Sequence, residues 1–267
     1  MTYLPVDADG VVDPNALEAA LDQETVLVSV MLANNEVGSL QPLREIVRIV
    51  KERHPTVPVH TDAVAAAGYA PLGVAELGVD LLSLSAHKIG GPKGAGLLWV
   101  RRGTLLQPLL FGDDRERGRR AGLEDVPAIM GMARAVELNL PAWRERAETV
   151  GRLTARLIAA VERLPGAMLT GHPTARLPQI ASFCFEGVDG EALLLQLDQQ
   201  GISTASGSAC SSATLEPSHV LKAMGIPSAL AEGNLRLSLG VENSDQEIDR
   251  VLEILPATIE RLRALRR

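Results

Sequence analysis

Short apolar runs that alternate with helix-forming segments constrain the fold of this chain more than any other feature. The runs that are typical of buried strands cover residues 25–32, 57–62, 79–86 and 96–100. Pro42 begins an amphipathic helix whose apolar face carries Leu43, Ile46, Val47 and Val50. Strands that alternate with helices predict an α/β fold with a parallel, doubly wound sheet. Functional groups gather at the carboxyl ends of such strands, and Asn34, Asn35, Asp62 and Lys88 all follow one.

The second half of the chain has a different pattern. Residues 126–164 are helical in pattern with an interruption at Pro141, which predicts a domain boundary near residue 140. Strands are then expected near 167–170, 179–185 and 235–239, and a helix over 190–200. Ser244 and Glu247 predict a capping box at the start of the last helix. The predicted domains are 1–140 and 141–267.

Composition excludes several classes of protein. The 267 residues are 46% hydrophobic, which is enough for a sizeable core, and the net charge of −7 leaves no basic stripe for nucleic acid. Two cysteines are too few for a disulfide scaffold, and Cys184 lies in an apolar run that predicts burial. Neither a signal peptide nor a membrane-spanning run is found, so no membrane partner and a cytoplasmic location are expected.

The segment from Val79 to Gly94 points to a specific chemistry. An apolar strand runs into Ser85-Ala86-His87-Lys88 and then into glycines, where a lysine can lose part of its hydration and become a neutral amine able to form a Schiff base. Asp62, which ends an earlier strand, suits a protonated pyridine nitrogen. Pyridoxal phosphate needs such a lysine and acid, and Ser85 and His87 could hold its phosphate. An ordinary capped loop with a solvated lysine remains the alternative from these residues alone.

Six further motifs narrow the interpretation. The lysine segment resembles that of the class V aminotransferases, a branch of the fold-type I pyridoxal-phosphate enzymes. Motifs that resemble cysteine desulfurases of the nitrogen-fixation and iron–sulfur-cluster type cover residues 34–38, 60–63, 116–122, 206–210, 215–218 and 235–240. The resemblance implies a partial pyridoxal-phosphate-binding large domain over 1–140, with a mostly parallel doubly wound sheet. A smaller α+β domain over 141–267 would carry the cysteine loop.

The same resemblance assigns roles to residues around the cofactor. Lys88 would hold the pyridoxal aldehyde, Asp62 would pair with the ring nitrogen, and Ser85 and His87 would bind the phosphate. Asn35 would lie near the cofactor and the substrate carboxylate. The alternatives are a helix-capping role for Ser85 and a turn position for Asn35.

Substrate and partners follow from the resemblance in the same way. Arg236 would clamp the carboxylate of L-cysteine, and Cys210 would attack the substrate sulfur to give L-alanine and a persulfide. A homodimer and a sulfur-acceptor protein are the implied partners. A surface ion pair for Arg236 and a buried loop thiol for Cys210 are the alternatives. No metal is implied.

Several departures from the family pattern stand beside the match. Relatives are expected to carry a further part of the large domain before the position of Met1, with a phosphate loop and a histidine that stacks on the ring. Ala65 stands where the family usually has a glutamine, and Leu123 stands where a threonine is expected. The usual glycine-rich motif reads Gly112-Asp113-Asp114-Arg115, which brings two carboxylates towards a phosphate site.

Three functional hypotheses are therefore open at this point. The first is a cysteine desulfurase polypeptide. The second is another class V enzyme, such as a selenocysteine lyase or an aminotransferase, against which Cys210 argues. The third is a non-catalytic binding or dimerising subunit, which the departures at Ala65 and Leu123 favour.

Overall fold

The computed structural model describes residues 1–207 and 218–266, and these form two compact units. The parallel-sheet unit comprises Leu21–Leu32 and Leu43–Trp143. The antiparallel-sheet unit comprises Met1–Ala20, Ala33–Pro42 and Arg144–Arg267. The predicted boundary near residue 140 lies close to the junction at Trp143, but 1–20 and 33–42 belong with the later residues. The domain bounds 1–140 and 141–267 stay a prediction.

The regular elements of the described chain alternate as the sequence pattern indicates. The strands are β1 Val28–Ser29, β2 Val59–Asp62, β3 Leu81–Ser85, β4 Gly96–Val100, β5 Ala167–Leu169, β6 Ile180–Phe185 and β7 Asn234–Ser238. The helices are α1 Pro14–Ala20, α2 Leu43–Arg53, α3 Val74–Leu77, α4 Arg115–Gly118, α5 Val126–Asn139, α6 Trp143–Val161, α7 Gly190–Asp198, α8 His219–Ala223, α9 Ser228–Ala231 and α10 Asp245–Leu265. A 3₁₀ turn, Ala86–Ile89, follows β3.

The sheet of the parallel-sheet unit has the order β1-β2-β3-β4. β1, β2 and β3 are parallel, and their register places Asp62 opposite Ser83. β4 instead runs antiparallel to β3. The physical reason is the short connection over residues 86–95, because a parallel crossover needs about a dozen residues or more. One strand of the predicted parallel sheet therefore has the opposite direction.

Burial follows the predicted amphipathic pattern in this unit. α2 buries Leu43, Ile46, Val47, Ile49 and Val50 along one face. β1 is shorter than the predicted strand over 25–32, yet its hydrogen bonding with β2 continues. The backbone N–H groups of Val30 and Leu32 donate to the backbone carbonyls of His60 and Asp62. The carboxyl ends of β1 and β2 are therefore held side by side at Asp62.

The antiparallel-sheet unit is built on β6, which is buried along its whole length between β5 and β7. α6 and α10 contribute buried residues such as Leu153, Leu157 and Leu255 to its core. The predicted capping box of α10 is confirmed, with Ser244 and Glu247 bonding reciprocally. Among the helices of the described residues, none combines the length and apolar character that crossing a membrane requires.

Candidate active site

The predicted site residues fall into two groups, one in each unit. The parallel-sheet unit carries Asp62, Ser85, His87 and Lys88, and the antiparallel-sheet unit carries Asn35 and Arg236. Cys210 lies outside the described residues.

Asp62 ends β2 with its carboxylate exposed at the carboxyl edge of the sheet. Its Oδ1 accepts a hydrogen bond from the backbone N–H of Val64 at 2.8 Å, which fixes the orientation of the carboxylate. No hydrogen bond to Oδ2 is found in the described part of the chain. The second oxygen is therefore available to a cationic group that approaches the edge of the sheet.

Lys88 lies in the 3₁₀ turn that follows β3. Ala86 and Ile89 form the buried side of this turn, and Gly90 ends it at a left-handed φ of 76°. Because the opposite side of the turn faces outward, Lys88 is exposed, and the expected loss of hydration is wrong for this structure. Within the described residues its amine has no hydrogen-bond or ion-pair partner. A free amine therefore stands at the end of β3.

Ser85 and His87 interact beside this lysine. The Ser85 hydroxyl and His87 Nδ1 are 2.8 Å apart. Ser85 precedes the turn, but its side chain makes no capping hydrogen bond, so the interpretation as a helix cap is wrong. Both side chains are hydrogen-bonding groups within three residues of Lys88, with Ser85 at the end of β3 and His87 in the turn that follows it.

The helix α5 supports the lysine turn, which the sequence pattern did not reveal. The Asn139 amide donates to the Ile89 carbonyl at 2.9 Å. A Cβ at Gly91 would lie 3.0 Å from the Cβ of Ala86 and 3.2 Å from that of Ala135, so a glycine here allows α5 to pack closely. These contacts hold the turn and hence Lys88.

His60 is a further residue that motif reasoning did not single out as functional. Its Nδ1 lies 2.8 Å from the Ser29 hydroxyl and its Nε2 lies 2.8 Å from the Ser83 hydroxyl, so the ring links β1, β2 and β3. Burial lowers the pKa of His60, and the charge of Asp62 opposes that shift. The signal was present in the sequence, because His60 and Asp62 are two residues apart and share one face of β2.

The aspartates that depart from the family pattern are partly neutralised. Arg115 Nε lies 3.3 Å from Asp113, and Arg115 Nη1 donates to Glu124 at 2.7 Å. A backbone hydrogen bond and then the bond from Arg115 lower the pKa of Glu124. Arg115 thus offsets Asp113, which is one of the two carboxylates that would repel a phosphate. Leu123, which stands where a threonine is expected, is 80% exposed.

The group in the antiparallel-sheet unit centres on Arg236 of β7. Its Nη1 donates to the backbone carbonyl of Asn35 at 2.8 Å, so the structure brings these two predicted residues together. Arg236 is half-buried, which argues against the surface ion pair. Burial lowers the pKa of Arg236, and the charge of Glu36 opposes this. Its buried Nε has no hydrogen-bond partner among the described residues.

Comparison with known proteins identifies the family. The model of the family "Aminotransferase class-V" matches residues 1–251. This chain belongs to the class V aminotransferase family. Its relative "Cysteine desulfurase IscS" of Methanosarcina thermophila is 48% identical over 263 residues, which are 98% of this chain and 65% of that protein. The chain thus spans just under two thirds of the length of this relative.

Solved structures agree with the family assignment. A "NIFS-LIKE PROTEIN" aligns with a TM-score of 0.89 and 37% identity, over 98% of this chain and 68% of its own. "SspA in complex with cysteine" aligns with a TM-score of 0.75 and 30% identity, over 91% of this chain and 67% of its own. The predicted α/β fold of the fold-type I enzymes is therefore confirmed.

Class V aminotransferases use pyridoxal phosphate, and the residues of the parallel-sheet unit fit that group. The Lys88 amine is exposed and without a partner in the described chain, and the Asp62 carboxylate keeps one oxygen free. Ser85 and His87 add a hydroxyl and an imidazole at the same strand end. No cluster of metal-binding side chains is found among the described residues.

Proposed function

We propose that this chain is a pyridoxal-phosphate-dependent cysteine desulfurase polypeptide, which converts L-cysteine to L-alanine and leaves the sulfur as a persulfide on Cys210. The observation that carries the proposal is the free Lys88 amine at the end of β3, on the strand that pairs with the strand of Asp62. The similarity to the cysteine desulfurase of Methanosarcina thermophila supports it.

The cofactor, when bound, supplies an electron sink for the substrate carbons. Lys88 would hold its aldehyde and later move a proton to and from the substrate as the free amine. The Asp62 carboxylate would keep the proton on the pyridine nitrogen, because an anion next to a cation favours the charged form of both. Ser85 and His87 would donate hydrogen bonds to the phosphate.

Substrate binding would use the antiparallel-sheet unit. A guanidinium presents a planar fork that matches a carboxylate, and Arg236 is half-buried and therefore partly accessible. Asn35 holds one side of that guanidinium through its carbonyl and exposes its own amide. We assign the carboxylate of L-cysteine to Arg236 and a second contact to Asn35.

Sulfur transfer would be the role of Cys210. Its thiolate forms a sulfur–sulfur bond with the substrate, the carbon–sulfur bond breaks, and the electron pair stays on the substrate carbon, which takes up a proton to give L-alanine. The step balances without an external oxidant or reductant. A sulfur-acceptor protein, in iron–sulfur-cluster or thio-cofactor assembly, would then accept the sulfur.

A homodimer is the proposed assembly. Large apolar side chains are exposed close together in sequence in the parallel-sheet unit, including Leu105, Leu109, Phe111, Leu123 and Met130. Exposed apolar side chains that cluster in this way are typical of an interface with another protein chain. Sedimentation of the purified chain tests this point, and a monomer at all concentrations would contradict it.

A non-catalytic subunit is the second candidate, because Ala65 and Leu123 replace residues that the resemblance expects at the cofactor. One experiment separates the two. The chain is incubated with pyridoxal phosphate, reduced with borohydride and digested, and the modified lysine is mapped. We expect the cofactor on Lys88 and L-alanine release from L-cysteine.

Two variants make this experiment specific. Lys88→Ala is expected to abolish both the cofactor adduct and L-alanine release. Lys93→Ala is the matched control, since Lys93 is an exposed lysine of the same segment without a predicted role. A chain that shows neither adduct nor release would instead support the non-catalytic subunit.

A further inference from the structure

Glu36 is a buried carboxylate that lies within the motif over residues 34–38 but has no role in the proposed mechanism. Its side chain lies in the antiparallel-sheet unit and the residue is only 3% exposed. Its Oε2 accepts a hydrogen bond from the Ser218 hydroxyl at 2.5 Å. A Cβ built on Gly207 would lie 3.5 Å from the same oxygen. The carboxylate therefore bonds to Ser218 and lies near Gly207, the two described residues that flank residues 208–217.

The backbone around Glu36 also holds Arg236. The Asn34 side chain accepts hydrogen bonds from the N–H groups of Glu36 and Val37, at 2.8 and 3.0 Å, and so fixes a turn. The next carbonyl in this turn, that of Asn35, accepts from Arg236 Nη1 at 2.8 Å. Consecutive residues of one rigid turn thus hold the guanidinium and present the buried carboxylate.

Arg236 has few other compensating groups among the described residues. Its Nε is buried without a hydrogen-bond partner in that part of the chain, and burial lowers the pKa of Arg236. The charge of Glu36 opposes this effect, so it stabilises the cationic guanidinium. A half-buried cation is stabilised by a nearby counter-charge, and here Glu36 supplies it.

We propose that Glu36 is a positioning residue that serves as the resident counter-ion of Arg236 and thereby limits the affinity of the site for the carboxylate of its amino-acid substrate. This inference rests on the proposed function, since it takes Arg236 as the carboxylate-binding residue. A substrate carboxylate that binds Arg236 brings a second negative charge close to Glu36. The repulsion between them weakens binding of the substrate and of L-alanine, which carries the same carboxylate.

The test of this role uses Glu36→Gln in the full chain. Glutamine keeps an oxygen that accepts from Ser218, but it removes the charge. We expect KM for L-cysteine to fall on the order of tenfold, with kcat unchanged or lower. Glu162→Gln is the matched control, because Glu162 acts electrostatically on a different half-buried arginine, Arg176. An unchanged or raised KM in Glu36→Gln would overturn the proposal.

Ser218→Ala separates charge from hydrogen bonding. This variant keeps the Glu36 carboxylate and removes the hydroxyl that bonds to it, together with the cap that this hydroxyl forms at the start of α8. If Ser218→Ala lowers KM as much as Glu36→Gln, then the hydrogen bond rather than the charge controls affinity, and the counter-ion role is wrong.

A second measurement does not depend on turnover. Urea unfolding of the cofactor-free chain, followed by circular dichroism, is measured for Glu36→Gln, Arg236→Gln and the double variant. We expect the double variant to be more stable than the sum of the two single losses predicts, since each single change leaves one buried charge alone. Additive losses would overturn the counter-ion role. The two measurements also separate the two proposals. Coupling between the two substitutions, with no turnover by the wild-type chain, would contradict the proposed function but not the counter-ion role.

Discussion

Replacing Asp80 tests how the parallel-sheet unit is held together. The Asp80 side chain is 9% exposed and lies 2.6 Å from Lys51 Nζ and 3.1 Å from Arg101 Nε. It also accepts from the backbone N–H of Val59 at 2.8 Å. One carboxylate therefore joins α2, the start of β2 and the end of β4. We expect Asp80→Ala to destabilise this unit more than the loss of any exposed ion pair would.

The size of the effect follows from the partners. Leaving the buried Val59 N–H without an acceptor costs about 1–3 kcal/mol. Removing one partner of a fully buried ion pair costs about 3–5 kcal/mol. The Lys51 and Arg101 side chains are 31% and 41% exposed, so water recovers part of that loss. We therefore expect a loss of about 3 kcal/mol for Asp80→Ala. Asp80→Asn, which retains an acceptor for Val59, should lose about half as much.

Tryptophan fluorescence during urea unfolding measures this loss in the correct unit. The chain has two tryptophans, Trp99 and Trp143, and both belong to the parallel-sheet unit. With a typical urea dependence of about 1–3 kcal/mol per molar, the midpoint should fall by about 1–3 M. Glu76→Gln is the control, because the Arg44–Glu76 pair is 67% exposed on both sides and contributes about 0–1 kcal/mol. Equal midpoints for Asp80→Ala and Glu76→Gln would refute the reasoning.

Two further predictions concern backbone strain and pH. Arg117 has a left-handed φ of 61°, so Arg117→Gly should raise the unfolding free energy by about 1 kcal/mol. Arg119 has an ordinary φ of −95°, so the control Arg119→Gly should lower the unfolding free energy. Urea midpoints that fall equally for both variants would contradict backbone strain at Arg117. Folding lowers the pKa of His60 from 6.5, so the unfolded chain binds the proton more readily and stability is lost as pH falls through 6.5. The wild-type chain should therefore lose more unfolding free energy between about pH 8 and about pH 5.5 than His60→Gln does, and equal losses would exclude His60 as a source of the pH dependence.

The fold was predictable where local pattern and burial agree. The amphipathic face of α2 and the capping box of α10 follow directly from residue spacing. The direction of β4 was not predicted from its composition, because pairing direction depends on the length of the connection before it. The assignment of residues 33–42 to the antiparallel-sheet unit depends on long-range contacts, which no local pattern carries.

For the candidate site, local motifs indicate residues but not their surroundings. Motifs led to Lys88, Asp62 and Arg236, but they gave the wrong environment for Lys88, because the buried side of its turn is set by Ala86 and Ile89. Glu36 lies within a motif, yet its burial and its bond to Ser218 join residues that are far apart in sequence. Such roles depend on tertiary packing, so they required the structure.

The most direct test of the proposed activity is the fate of the sulfur atom. The chain is loaded with pyridoxal phosphate, mixed with L-cysteine and quenched with an alkylating reagent, and its cysteine peptides are analysed by mass spectrometry. Cys184 is an internal control, because it is fully buried and burial raises the pKa of its thiol to about 11. We predict one added sulfur atom on Cys210, none on Cys184, and one L-alanine for each persulfide formed. L-Alanine release by Cys210→Ser at the wild-type rate, or wild-type chain without added sulfur on Cys210, would contradict the account.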